Sequence, residues 1–392
     1  MRLFNRKMRV FTRIIAGVSA ICVTVPAVFI YGGELSRVPG AVNAAIDYIR
    51  TPAVESVSVS VTPINNGSLM LYTPVKDNAE KKPIVIEEEP HFFEEETEPV
   101  VPPQVALPVI SRNISLERED LTRFTSKSGT VTRMTFTPAL SSSNIHLTGG
   151  GQIRNKTSIE ASKLLKESEL PLKWTPHGKD EPTVLIYHTH TTESFRLSAG
   201  EYYDPKYIFR TVDSDNNIVA VGAKIAEEIA KMGFSVIHDG TLHDYPVFRG
   251  AYGRSASTVR EILREYPSIQ VVFDVHRDGI ESGGMPVAAI ADIKGKEAAQ
   301  VMIVAPADNG EWDVPNFMEN FRFAARLQGQ MENDSPGLTR AILFQYCNYN
   351  LHLSPAALLI EIGSHGNTLE QALYAGELFG QSVGRLLTEL SL

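Results

Sequence analysis

The chain has 392 residues, 43% apolar and 21% charged, which is enough for one large or two ordinary domains and excludes a wholly disordered polymer. A net charge of -9, with no basic stripe, excludes a protein dedicated to nucleic acid. Cys22 and Cys347 are the two cysteines, so no CxxC zinc site and no disulfide framework is available to the globular part.

The first 13 residues carry Arg2, Arg6, Lys7, Arg9 and Arg13 and no acid. An apolar run follows from Ile14 to Tyr31, long enough at ~1.5 Å per residue to cross a hydrocarbon layer of ~30 Å. By the positive-inside rule, residues 1–13 are a cytoplasmic tail and residues 14–32 a single-pass anchor in the cell membrane, with the rest extracytoplasmic. A cleaved signal peptide is the rival, but no clean small-x-small site follows the run. Residues 33–109 read as a spacer. Within 76–108 they are acidic and proline-rich, with Glu87–Glu89, Glu94–Glu96 and Glu98 crowded between prolines, a composition that opposes packing.

Residues 110–180 form a lead-in to the main domain, with Gly149–Gly151 as a flexible joint rather than a phosphate loop. From residue 181 to the end, apolar runs of strand length alternate with helical patterns. The runs are Thr183–Tyr187, Phe234–Ile237, Ile269–Val275, Val287–Asp292, Val301–Ala305 and Ala357–Ile362. Ile218, Val221, Ile225, Ile229 and Met232 recur at helical spacing and stop at Gly233; Phe317, Phe321, Ala324, Leu327 and Met331 repeat the pattern. A last helix starts at Thr368, where Thr368-Leu369-Glu370-Gln371 reads as a capping box. The alternation predicts a three-layer α/β sandwich with a largely parallel sheet of about six strands.

Ligands of such sheets bind beyond the carboxyl ends of strands. Three strands end in polar residues that packing does not require: His188-Thr189-His190-Thr191-Thr192-Glu193, Asp274-Val275-His276-Arg277-Asp278, and Glu361-Ile362-Gly363. Zinc in hydrolases is held by three N or O ligands beside a carboxylate that takes a water's proton. A His-x-x-Glu pair with a distant His matches the ligand set of zinc carboxypeptidases. His190, Glu193 and His276 are therefore the expected ligands and Glu361 the base. His188 is the alternate ligand, because both histidines of a His-x-His strand share one face.

The segment Glu361-Ile362-Gly363-Ser364-His365-Gly366-Asn367-Thr368-Leu369-Glu370 is similar to the Glu-x-Gly-x-x-x-Asn-x-x-Glu signature that closes the zinc N-acetylmuramoyl-L-alanine amidase domain, whose first Glu is the catalytic base. The fuller match resembles the stage II sporulation protein P family, from about Glu181 onward: Tyr187-His188-Thr189-His190 with Glu193, Asp274-Val275-His276-Arg277-Asp278, and the closing signature. That resemblance implies a zinc amidase fold and a peptidoglycan hydrolase that cuts the muramyl-L-alanine amide, and also peptide cross-links, during engulfment. It further implies a membrane complex with a lytic transglycosylase. The broad amidase family takes its Glu ligand from the helix after the first strand, where this chain offers Asp213, Ser214 and Asp215; Asp213 and Asp215 are next in line should Glu193 fail. Arg277, Arg254 and Asn367 are the expected substrate-binding residues, with Arg249 beside them. An ion pair of Arg277 with Asp278 or Asp274 is the bland alternative, and for Arg254 it is a loop ending at a Ser255 helix cap. Two competing functions stay open: a zinc carboxypeptidase or endopeptidase acting on stem peptides, and a non-catalytic cell-wall tether.

Overall fold

The structure is a computed structural model, and it describes residues 109–136, 144–176 and 181–392. The expected basic tail, membrane anchor and spacer through residue 108 lie outside the described residues. Among the described residues no helix is long and apolar enough to cross a membrane.

Nine strands build the main sheet: β1 (Val109–Arg112), β2 (Ile145–His146), β3 (Gln152–Asn155), β4 (Pro182–Tyr187), β5 (Ser235–Asp239), β6 (Val271–Asp278), β7 (Val301–Ala307), β8 (Ile342–Tyr346) and β9 (Ala356–Ser364). Their order is β1-β5-β4-β6-β9-β7-β8-β3-β2. The first five run parallel, β7 is antiparallel to β9, β8 and β3 run parallel to β7, and β2 closes antiparallel on β3. In β4, Val184, Leu185 and Ile186 are all fully buried. A strand covered on both faces reads as a continuous apolar run, and that is why this one was visible in the sequence.

Two expectations change here. The run at 287–292 is a strand, Met285–Ile293, but it belongs to a separate small sheet, pairing with Glu281–Ser282, Lys296–Ala299 and Thr132–Met134. The lead-in region supplies β1, β2 and β3 to the main sheet, so it is built into the same domain instead of merely preceding it. The sheet reaches nine strands because these three pieces and β8, a strand that the sequence did not mark, join the five expected runs that remain in it.

The helices are α1 (Ala161–Glu169), α2 (Ile218–Lys231), α3 (Ala251–Glu265), α4 (Phe317–Asp334) and α5 (Leu369–Leu390). The Asn217 side chain caps α2 by accepting from the Val219 N–H, and Gly233, at φ 87°, turns the chain left-handed after it. The Thr368–Gln371 capping box at α5 is formed in both directions. Helix α3 begins earlier than its serine suggested: Gly250 is the N-cap, and Ser255 is buried inside the helix.

One face of the sheet packs α1, α2, α4 and α5 into the larger core, where Ile225, Phe273, Phe323 and Phe379 meet. The other face carries α3 and the short turn Leu351–Leu353 over Leu185, Tyr187, Val259 and Leu359. The three layers are therefore unequal. The thin layer leaves room for a cleft above β9, β7 and β8.

Candidate active site

Strands β4, β6 and β9 are neighbours, so their carboxyl ends deliver His190, Glu193, His276 and Glu361 to one place. Glu361 stands directly beside His276 in the sheet register. All four line a cleft of ≈ 460 Å³ with Phe248, Tyr252, Tyr349, Asp278 and Arg340. After Tyr187 the chain leaves the strand and turns, with the Glu193 N–H donating to the His190 carbonyl. That turn brings the His190 ring within 5.3 Å of the His276 ring, centroid to centroid.

His276 is held between two carboxylates. Its Nδ1 is 3.4 Å from Glu193 Oε2, and its Nε2 is 2.8 Å from Asp274 Oδ1 without hydrogen-bond alignment. Burial lowers the His276 pKa, but Asp274 and then Glu193 outweigh it and hold the imidazole well above its ordinary value. Asp274 is itself fully buried and accepts from the Thr189 N–H at 2.8 Å and the Thr189 hydroxyl at 2.7 Å. Burial would raise the Glu193 carboxyl, yet the Arg277 guanidinium, then His276 and His190, pull it down to about 2. The His190 pKa is lowered by burial and by the neighbouring His276, and its Nδ1 is buried with no hydrogen-bond partner. The ring is stacked on Phe248 at 4.5 Å.

Glu361 behaves differently. Burial is the largest cause, with Asp278 next, and the carboxyl is raised to about 8; His276 and Arg340 pull the other way. Its Oε2 is buried without a hydrogen-bond partner. Two carboxyl groups lining one cleft are thus driven to opposite protonation states by their surroundings, the pattern that separates a fixed charge from a proton carrier.

The alternate ligand His188 is not among the residues that line this cleft. Strand β4 ends before it, and the side chain packs beneath α2 at Gly222, where Nδ1 is 2.8 Å from the Val275 carbonyl and Nε2 3.1 Å from His238 Nε2. Burial lowers its pKa to about 4. Asp213 and Asp215 are also elsewhere: Asp213 accepts from the Asp215 N–H and from Asn216, and both pair with Arg118.

Three expected substrate contacts are committed to the protein itself. Asn367 is fully buried and clamps Ala289 through both backbone groups, at 3.1 and 3.0 Å, while also holding the Ser364 N–H and Gln371. Arg254 donates to the backbone carbonyls of His243, Arg249 and Val247, stapling the loop before α3. Arg277 lines the cleft, but its guanidinium donates to the carbonyls of Ser194 and Phe209, and its N–H holds Glu193 at 3.1 Å. It positions Glu193 and pairs with neither Asp274 nor the Asp278 carboxylate; that carboxylate takes Arg340 at 2.8 Å. Residues the sequence did not single out are Asp244 and Arg210, which pair at 2.7 Å beneath His190 and Phe248, and Tyr252 and Tyr349, stacked at 5.2 Å on the rim. Asp274 did carry a signal, since in a strand it shares a face with His276. The others have none locally.

Two imidazoles and a carboxylate match zinc in kind, and the orphaned His190 nitrogen is free to serve as a donor. Their contacts are pairwise; among the described residues no group of three or more His, Cys, Asp or Glu side chains is arranged as they stand to hold a metal ion.

Fold and site together define an α/β protein with a histidine–carboxylate cluster at the carboxyl ends of a parallel-rich sheet. The chain belongs to the stage II sporulation protein P family, whose model matches residues 131–383. A curated relative, stage II sporulation protein P of Bacillus subtilis (strain 168), is 29% identical over 204 residues, or 49% of this chain and 48% of the relative. The match thus spans about half of that protein's length. Among solved structures, the CwlD amidase from Clostridioides difficile in complex with the GerS lipoprotein overlaps 53% of this chain and 98% of its own, at 13% identity and a TM-score of 0.34. A metallo-carboxypeptidase from Burkholderia cenocepacia overlaps 53% and 57%, at 10% identity and 0.28. Superposition this loose establishes no shared activity.

Proposed function

We propose that the chain is a zinc-dependent peptidoglycan hydrolase that cleaves the N-acetylmuramoyl-L-alanine amide in wall degradation during sporulation. The observation that carries this reading is the meeting of His190, Glu193 and His276 beside a carboxyl raised to about 8, Glu361, in one open cleft. Family membership supports the sporulation setting. His190, Glu193 and His276 would hold the metal, His276 through the nitrogen that faces Glu193, with Asp274 orienting the ring from the other side. Bound zinc would polarise the scissile carbonyl and acidify a water. Glu361 takes a proton and returns it to the leaving nitrogen, a task for which a carboxyl titrating near neutrality is suited. Arg277 keeps Glu193 ionised and in place. Phe248 and Tyr252 flank His190 and shield it from water. Single-pass anchoring through residues 14–32, an extracytoplasmic domain and a complex with a lytic transglycosylase complete the proposal, on the basic flank, the apolar run and the family resemblance.

Digestion of purified sacculi tests it. Wild type should release free L-alanine amino groups, Glu361→Gln should lose about 10²–10⁴-fold in rate while keeping its metal, and a chelator should abolish activity until zinc is restored. Release of cleaved cross-links alone would move the assignment to a peptidase. Equal lysis by wild type and Glu361→Gln would remove Glu361 from the role of base, and no lysis by either, with binding to sacculi kept, would leave a wall-binding tether.

A further inference from the structure

Four arginines line the cleft: Arg154, Arg210, Arg277 and Arg340. Three are spoken for. Arg210 pairs with Asp244, Arg277 holds carbonyls and Glu193, and Arg340 pairs with Asp278. Arg154, on edge-ward β3, is exposed, and its side chain has no hydrogen bond or ion pair among the described residues. The sheet register fixes where it stands: Arg154, Leu343, Val304 and Leu359 form one row across β3, β8, β7 and β9, all lining the cleft. Three strand spacings of about 4.8 Å, plus two residues along β9, put its Cα about 16 Å from that of Glu361. The reach of both side chains leaves roughly 10 Å between their heads, about three residues of extended peptide. The floor between them is apolar, made by Leu343, Val304, Met302 and Leu359.

We propose that Arg154 is a specificity-determining residue that binds a free carboxylate on a stem peptide, about three residues from the amide beside Glu361. This rests on the hydrolase reading above. The peptide runs across the apolar floor, its scissile end at the histidines and its acidic end at β3. Arginine suits this task because its planar fork takes a carboxylate through two parallel hydrogen bonds.

The test uses the full chain and two muramyl pentapeptides that differ only in whether the stem carboxylates are free or converted to carboxamides. Wild type should favour the free form about tenfold in kcat/KM through KM, the size of one exposed charge-assisted contact. In Arg154→Gln that preference should fall toward unity with kcat kept, and Arg154→Lys should restore part of it. Binding of both peptides to Glu361→Gln, with and without Arg154→Gln, gives the same comparison without turnover. Absence of hydrolysis with a carboxylate preference that Arg154→Gln removes would sink the amidase reading and uphold this one. A wild type indifferent to the carboxylates, or a preference that survives in Arg154→Gln, would overturn it.

Discussion

Replacing Asp274 by Asn perturbs the support of His276 while preserving shape. Asp274 is fully buried, receives two hydrogen bonds from Thr189 and faces His276 Nε2 at 2.8 Å. The amide can still accept from the Thr189 N–H, so the loss is mainly that of a charge opposite a buried imidazolium, about 2–4 kcal/mol in metal-free protein. The sign with pH follows from both partners. Asp274 lies below its ordinary value, so its contribution is present above about pH 4 and is lost as pH falls. His276 lies above its ordinary value, so its contribution is complete below about pH 6.5 and is lost as pH rises through its folded pKa. Urea denaturation of chelator-treated wild type and Asp274→Asn should therefore differ most between about pH 4 and 6.5, and the gap should narrow at alkaline pH. Zinc affinity, measured by competition with a chromogenic chelator, should weaken about 10–100-fold. A stability gap that stays constant from pH 5 to 10, together with unaltered zinc affinity, would refute the assignment of Asp274 as the residue that orients His276.

Asp278→Asn removes the charge that, after burial, contributes most to raising Glu361, so the acidic limb of the kcat/KM profile should move to lower pH; an unmoved limb contradicts the coupling. Asn367→Ala strands both backbone groups of Ala289 and the Ser364 N–H, and thermal or urea unfolding should show a loss of roughly 2–5 kcal/mol, with KM little changed in the folded fraction. In Gly222→Ala the added methyl would sit 2.5 Å from His188 Nε2 and 2.7 Å from His238 Nε2. That overpacking should cost about 1–3 kcal/mol in denaturant unfolding, and a neutral result would contradict the placement of His188 beneath α2.

Much of the domain was written locally. Apolar runs bounded by polar residues marked β4, β5, β6, β7 and β9, because a strand covered on both faces must be apolar throughout. Caps marked α2 and α5, because a helix end needs nearby donors and acceptors whatever surrounds it. The three polar strand ends marked residues that meet in one cleft, since nothing in packing asks for such residues there.

Chain position alone could not say which long-range partner each polar group would find. His188 and His190 are equivalent in a strand pattern; the end of β4 and the gap left by Gly222 separate them. Asn367 and Arg254 read as contacts for a substrate, yet their partners, Ala289 and the loop carbonyls, meet them only after folding. The strand at 285–293 satisfies the same alternation whether it joins the main sheet or a smaller one, and its partners decide that. The sequence by itself determined which residue types stand at the carboxyl ends of the central strands. The tertiary structure decided which of them face one another, because strand order and register, not spacing along the chain, bring Glu361 beside His276 and place Arg154 in the lining of the same cleft.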